Sequence, residues 1–283
     1  MPLHLLHAQS DSSQLRPATE ARALAPFRDT SLDEVSGIAA SRQHPGLLWL
    51  VEDSGADATL HATDTTGANL GTWTVRNAHN RDWEALTLGP CTTGDCLYIG
   101  DIGDNQARRA HVTVYRVPEP DPSDASRVTT RATALDVAYP DGPHNAESLA
   151  VLPDTTLLII SKSMRSSEAF TVPADAWRQR GPTRATSRGP LPIPPGSLAT
   201  LVTDAAVAPD GARVAVRTYT AIYFFRVGAR HALVPDAAMT PCGIFGIEAQ
   251  GEGVTWTDPQ TMITASESNL GFRGGLALVR CGG

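Results

Sequence analysis

The 283-residue sequence predicts an all-β fold, a β-propeller of five four-stranded antiparallel blades. The first observation behind this is a unit that recurs five times. It opens on a small or acidic polar residue, runs through a short stretch apolar on both faces, turns, and returns as a second apolar strand. The second is spacing: the openings at Ser36, Glu84, Glu147, Asp204 and Glu252 lie 48, 63, 57 and 48 residues apart. Propeller blades recur at ~40–50 residues, and insertions lengthen some. The third is composition, with 24 glycines, 21 prolines and few helical stretches, which suits short strands joined by tight turns.

In chain order, 36–40 pairs with 48–53 across His44-Pro-Gly, and 84–88 with 97–101 across Thr93-Gly-Asp. Then 147–151 pairs with 157–162 across Pro153-Asp, 204–208 with 214–217 across Pro209-Asp-Gly, and 252–256 with 262–267 across Asp258-Pro. All five turns carry strong turn residues. Weaker outer strands fall at 58–63 with 72–75, at 112–117 with 132–138, and at 221–227. After Glu267 only one strand, 275–280, is visible, so residues 23–28 are expected to supply the last outer strand. Closing the ring with both chain ends removes exposed sheet edges. The expected organisation is an N-terminal extension over 1–22, partly disordered, and one propeller over 23–283. Six blades, one hidden in the long second or third repeat, is the alternative. A β-sandwich also uses short strands, but one local pattern occurring five times argues against it.

A net charge of −7 and a pI near 5.6 leave no basic footprint for nucleic acid. Of 23 basic residues only Lys162 is a lysine. No apolar run reaches the ~18–20 residues of a membrane span. Residues 1–13 lack the basic start and apolar stretch of a signal peptide, so the protein is either cytoplasmic or starts here after a removed leader. Cysteine usage favours export: Cys91 and Cys96 bracket a turn, Cys242 and Cys281 are left as a second possible pair, and no CxxC or HxxxH completes a zinc site. A secreted or periplasmic monomer is expected.

Inner strands of a propeller border the axial channel, so the opening residues of the repeats should converge at one mouth. Ser36, or Glu34 beside it, would stand with Glu84, Glu147, Asp204 and Glu252. Clustered carboxylates repel unless a cation or protons intervene, and hard oxygen donors suit Ca²⁺ better than Zn²⁺. The predicted metal ligands are therefore Glu84, Glu147, Asp204 and Glu252. Three loops are richer than scaffolding requires: Asn77-Ala-His-Asn-Arg-Asp-Trp-Glu84, Gly100-Asp-Ile-Gly-Asp-Asn105 with Arg108-Arg109, and Tyr139-Pro-Asp-Gly-Pro-His-Asn-Ala-Glu147. His79, Asp101, Asp104, Asn105, Arg108, Arg109, Asn145 and Arg217 are candidate ligand-binding residues, the arginines as anion contacts. For Asp101, Asp104 and Asn105 taken alone, a turn network that stabilises the loop is the stronger reading. Glu84, His144 and Lys162 are candidate catalytic residues. There is no Gly-x-Ser-x-Gly elbow and no phosphate-cradling glycine loop.

The motifs Asp82-Trp-Glu84, Tyr98-Ile-Gly-Asp-Ile-Gly-Asp-Asn105, Tyr139-Pro-Asp-Gly142 with Asn145-Ala-Glu147, Arg217-Thr-Tyr-Thr220 and Gln250-Gly-Glu252 resemble a group of bacterial, often exported β-propeller proteins of unassigned activity. These are distantly similar to phytase-like and NHL-type propellers. The resemblance covers about residues 30–281 and implies a propeller and an exported location, but no reaction. The acid-rich strand pattern of true propeller phytases is missing, which argues against phytase activity. The functional expectation is a propeller that binds Ca²⁺ and a small anionic ligand at the channel mouth. If it is an enzyme, the expected chemistry is metal-assisted ester or phosphoester hydrolysis, with Glu84 or His144 activating water. The competing class is a non-catalytic binding or interaction module whose channel acids are structural.

Overall fold

Five runs of apolar residues, buried on both faces, form the innermost strands: Val35–Ala40, Trp83–Pro90, Ala146–Val151, Val202–Val207 and Gln250–Trp256. Burial on both faces follows from their place between neighbouring blades. The computed structural model describes residues 15–282. Each inner strand pairs antiparallel with the strand that follows it: Leu48–Glu52, Asp95–Asp101, Leu157–Ser161, Arg213–Thr218 and Met262–Glu267. Third strands are Thr59–Thr63, Val112–Pro118, Glu168–Val172, Ala221–Val227 and Gly275–Arg280.

Inner strands neighbour one another in cyclic order, the fifth returning to the first. Five apolar clusters fill the five spaces between adjacent blades. Trp49, Trp73 and Trp83 sit between blades one and two, and Ile38, Leu50, Ile263 and Leu276 between five and one. The fold is thus a closed five-bladed propeller. No sixth sheet is formed by the described residues; the extra length of the second and third repeats goes into connections over 119–132 and 173–182.

Ring closure follows the expected route, two to three residues earlier in the chain. Glu20–Pro26 is the outer strand of blade five, antiparallel to Gly275–Arg280. Ahead of it, Arg16–Pro17 pairs in parallel with Cys242–Gly243 on blade four. The first fourteen residues of the expected extension lie outside the described residues. Both cysteine pairs are disulfides. Cys91–Cys96 closes the first turn of blade two, and Cys242–Cys281 ties blade four to the last strand of blade five.

Candidate functional site at the channel mouth

A β-bulge at the start of every inner strand shapes the mouth. In each blade one residue is skipped by the ladder: Ser36, Glu84, Glu147, Thr203 and Glu252. Bulges redirect side chains where a strand begins. The fourth member is Thr203, whereas the sequence repeat aligned Asp204; the bulge shifts the frame by one residue. Ser36 and Thr203 donate across to the next blade, to the carbonyls of Trp83 (2.6 Å) and Glu252 (2.9 Å). The other three positions hold glutamates, each less than a tenth exposed.

The same register defines a second ring, one residue beyond the partner of each bulge. It consists of Asp53, Ile102, Lys162, Tyr219 and Glu267. Lys162 Nζ lies 2.5 Å from Glu147 Oε2 and donates to the Tyr219 hydroxyl at 2.8 Å. Gln250 Nε2 donates to Glu252 Oε1 at 2.9 Å and also bonds Glu267. Glu84 has neither a hydrogen-bond nor an ion-pair partner among the described residues. Asp53, Asp82 and Glu84 can each offer one oxygen such that all three lie within 4.8 Å of one another. Asp53 also accepts the Ser54 backbone N–H.

Charge in this group is unbalanced. Burial, then Glu147, Asp53 and Asp82, pushes the Glu84 carboxyl well above its ordinary range. Burial raises Glu147 to about 8 against the pull of Lys162, and raises Glu252 as well. Asp82 rises to about 6 through burial and the neighbouring Asp53, and Glu267 to about 7 through burial and Glu252. Burial works against the charge on Lys162, but Glu147 and Glu252 outweigh it and raise its pKa. One ammonium faces several carboxylates, so protons or a further cation must make up the balance.

The predicted ligand-binding loop is bonded to itself. Asp101 pairs with Arg109 at 2.7 Å, and Arg109 Nη1 donates to the Gly103 carbonyl at 2.8 Å. Asp104 accepts the backbone N–H groups of Arg108 and Arg109, and its own N–H donates to Asn145 Oδ1, whose amide reaches Asn105. The network carries Gly103 beneath the acidic trio. A Cβ there would overlap the Asp82 carboxylate and lie 2.6 Å from Glu84 Oε1, so the close approach requires glycine.

The remaining sequence-predicted residues lie apart from the trio. Asp204 is fully buried and accepts the backbone N–H groups of Ala205 and Val254, both at 2.8 Å, which stitches blade four to blade five. Arg217 is buried and binds Glu248 and the carbonyls of Gly253 (2.6 Å) and Ala265 (3.3 Å). His144 bonds Asp141 at 2.8 Å and packs on Tyr139 and Phe170. His79 and Arg108 are exposed. Of the four acids grouped as metal ligands by sequence, only Glu84 belongs to the close trio. Asp82 and Tyr219 stood inside the sequence motifs without an assigned role, and Asp53 was given none. Aligning the ends of the second strands would have found Asp53, which stands where blade three has Lys162.

These features define the class, a five-bladed propeller with an acidic channel mouth. No family model matches the chain, and no curated protein matches it. Among solved structures, the PQQ-bound aldose sugar dehydrogenase from Streptomyces coelicolor is similar with a TM-score of 0.52 and 11% identity, over 93% of this chain and 99% of that one. A gluconolactonase from Xanthomonas campestris gives 0.49 and 16% identity, over 94% and 87%. At 11% identity the likeness to the dehydrogenase bears on the fold alone.

Proposed function

We propose that this is an exported propeller that binds a divalent cation, Ca²⁺ by its donor chemistry, through Asp53, Asp82 and Glu84, and hydrolyses a carboxylic ester or phosphoester there. The observation that carries the reading is Glu84, nine-tenths buried at the mouth with no hydrogen-bond or ion-pair partner among the described residues. An isolated buried carboxylate is costly unless a proton or cation joins it. The donor set is all oxygen, as a hard cation requires, and its spacing is compatible with ligand distances of 2.3–2.6 Å. It contains no nitrogen or sulfur donor of the kind zinc prefers. Two disulfides support an oxidising compartment.

A cation bound there supplies a Lewis acid for the scissile oxygen. The chain supplies the rest. Lys162, held in place by Glu147 and Tyr219, contributes positive charge beside the scissile group. Glu147, ionised as pH rises through about 8, then offers an Oε1 that has no hydrogen bond among the described residues to take a proton from water. Asp101, Arg109, Asp104 and Asn145 hold the loop that carries Gly103 against the acids.

Metal analysis of gently purified protein, with thermal unfolding in Ca²⁺ and in chelator, tests the reading. About one divalent ion per chain and a melting temperature that falls on chelation are expected. Absence of both would remove the metal-assisted reading.

A further inference from the structure

Over blades three to five the mouth widens into a pocket of about 570 Å³ with two chemically distinct ends. Lys162, Tyr219, Gln250 and Asn269 make one end polar. Leu198, Leu201, Ile244 and Phe245 make the other apolar. Leu198 and Phe245 are 69% and 65% exposed, so the pocket leaves apolar side chains open to a ligand.

The polar end presents an oriented donor. An ammonium has only N–H groups to give, so in the 2.8 Å contact Lys162 donates and the Tyr219 oxygen accepts. The phenol proton is left for another acceptor, and none is found among the described residues. Burial, then Glu252, pushes the Tyr219 pKa up to about 12, which keeps that proton in place at neutral pH. On this side of the mouth Glu147, Glu248 and Glu252 face Lys162 and Arg217. An anionic head would meet an excess of like charge, whereas a neutral carbonyl oxygen meets a donor that lacks an acceptor.

We propose that the pocket binds a carboxylic ester with an apolar arm, the Tyr219 hydroxyl donating to its carbonyl oxygen and the arm lying along Leu198, Leu201, Ile244 and Phe245. The assignment rests on the hydrolase reading and narrows its two substrate classes to one. In the reaction a water oxygen bonds to the acyl carbon as one carbonyl electron pair moves onto oxygen, where the Tyr219 O–H holds the charge. That pair returns, the bond to the alkoxy oxygen breaks, and the proton that water gave to Glu147 passes to the leaving alkoxide. Tyr219 is thus a catalytic residue in addition to the acids.

Two measurements test this. The first is calorimetric binding of N-methyloctanamide, which carries a carbonyl and an apolar arm, to protein with and without Ca²⁺. The second is hydrolysis of p-nitrophenyl acetate, butyrate and octanoate, with p-nitrophenyl phosphate alongside. The expected result is kcat/KM rising with acyl length, a preference that Phe245→Ser flattens. Tyr219→Phe should lower kcat by ~100-fold with the length preference kept, and weaken amide binding roughly 3–10-fold. Thermal unfolding of both variants checks that they are folded. Phosphate hydrolysed and esters not, with Ca²⁺ bound, overturns this assignment and leaves the metal-assisted reading standing. Chain-length-dependent ester turnover without any cation binding supports the pocket and removes the metal reading. Amide binding that is absent, or unchanged in Tyr219→Phe, overturns the proposal.

Discussion

Glu84 and Glu248 are both largely buried carboxylates near one channel mouth, and each is packed over a glycine, yet they are solved in opposite ways. Glu248 meets the Arg217 guanidinium, which also donates to two backbone carbonyls, and Gly251 lies so close that a Cβ would overlap Arg217 and sit 2.8 Å from Glu248. Glu84 meets Asp53 and Asp82 over Gly103 and has no ion-pair partner among the described residues. A paired buried acid is scaffolding, since the protein already supplies what it needs. An unpaired one holds a capacity for a proton or a cation that must come from outside. The lesson is that burial alone does not mark a binding residue; burial without a partner does.

The largest effect should come from breaking the paired side. Arg217→Met leaves Glu248 and two carbonyls without their donor and should cost about 3–5 kcal/mol in urea unfolding, with or without Ca²⁺. On the open side, Glu84→Gln should remove more than the roughly 10–100-fold of metal affinity that a lost supporting contact costs. In chelator the same variant should be as stable as the parent or more so, because a buried repulsion is relieved. The two glycines sharpen the contrast. Gly251→Ala should destabilise by about 1–3 kcal/mol regardless of metal, as overpacking does, while Gly103→Ala should act mainly on Ca²⁺ affinity.

The smallest expected effect is on pH dependence. Glu267 titrates at about 7 in the fold, raised by burial and Glu252, and near the ordinary 4.5 when unfolded. It binds more protons folded than unfolded between these values, so its contribution is fully present below about 4.5 and lost as pH rises through about 7. Glu147, raised to about 8, acts in the same direction. The melting temperature of chelated protein should fall from pH 5 to pH 8; a rise would contradict the charge imbalance.

Much of the fold was legible because strand, turn and strand recur, with Gly, Pro or Asp in every turn. The five-blade count and the N-terminal closing strand followed from that pattern, while the cysteines offered the two pairs only as possible ones. The mouth was legible only in part. Glu84, Glu147 and Glu252 stand in the repeat, but a bulge is invisible in sequence, and in blade four it put Thr203 where Asp204 was aligned. Asp82 lies two residues before Glu84 on the same segment, but Asp53 comes from just past a strand end in blade one, a meeting that only the packing of blades one and two produces. Arg217 read as an anion contact because a lone arginine at a strand end says nothing of Glu248, which comes from a loop thirty-one residues later.

Calorimetric titration of Ca²⁺ into chelator-treated protein, beside the same titration of Glu84→Gln, goes most directly to the central claim. The account predicts about one site per chain in the parent protein and its loss in a variant that remains folded. Absence of binding at millimolar Ca²⁺, or an unchanged site in Glu84→Gln, would contradict it.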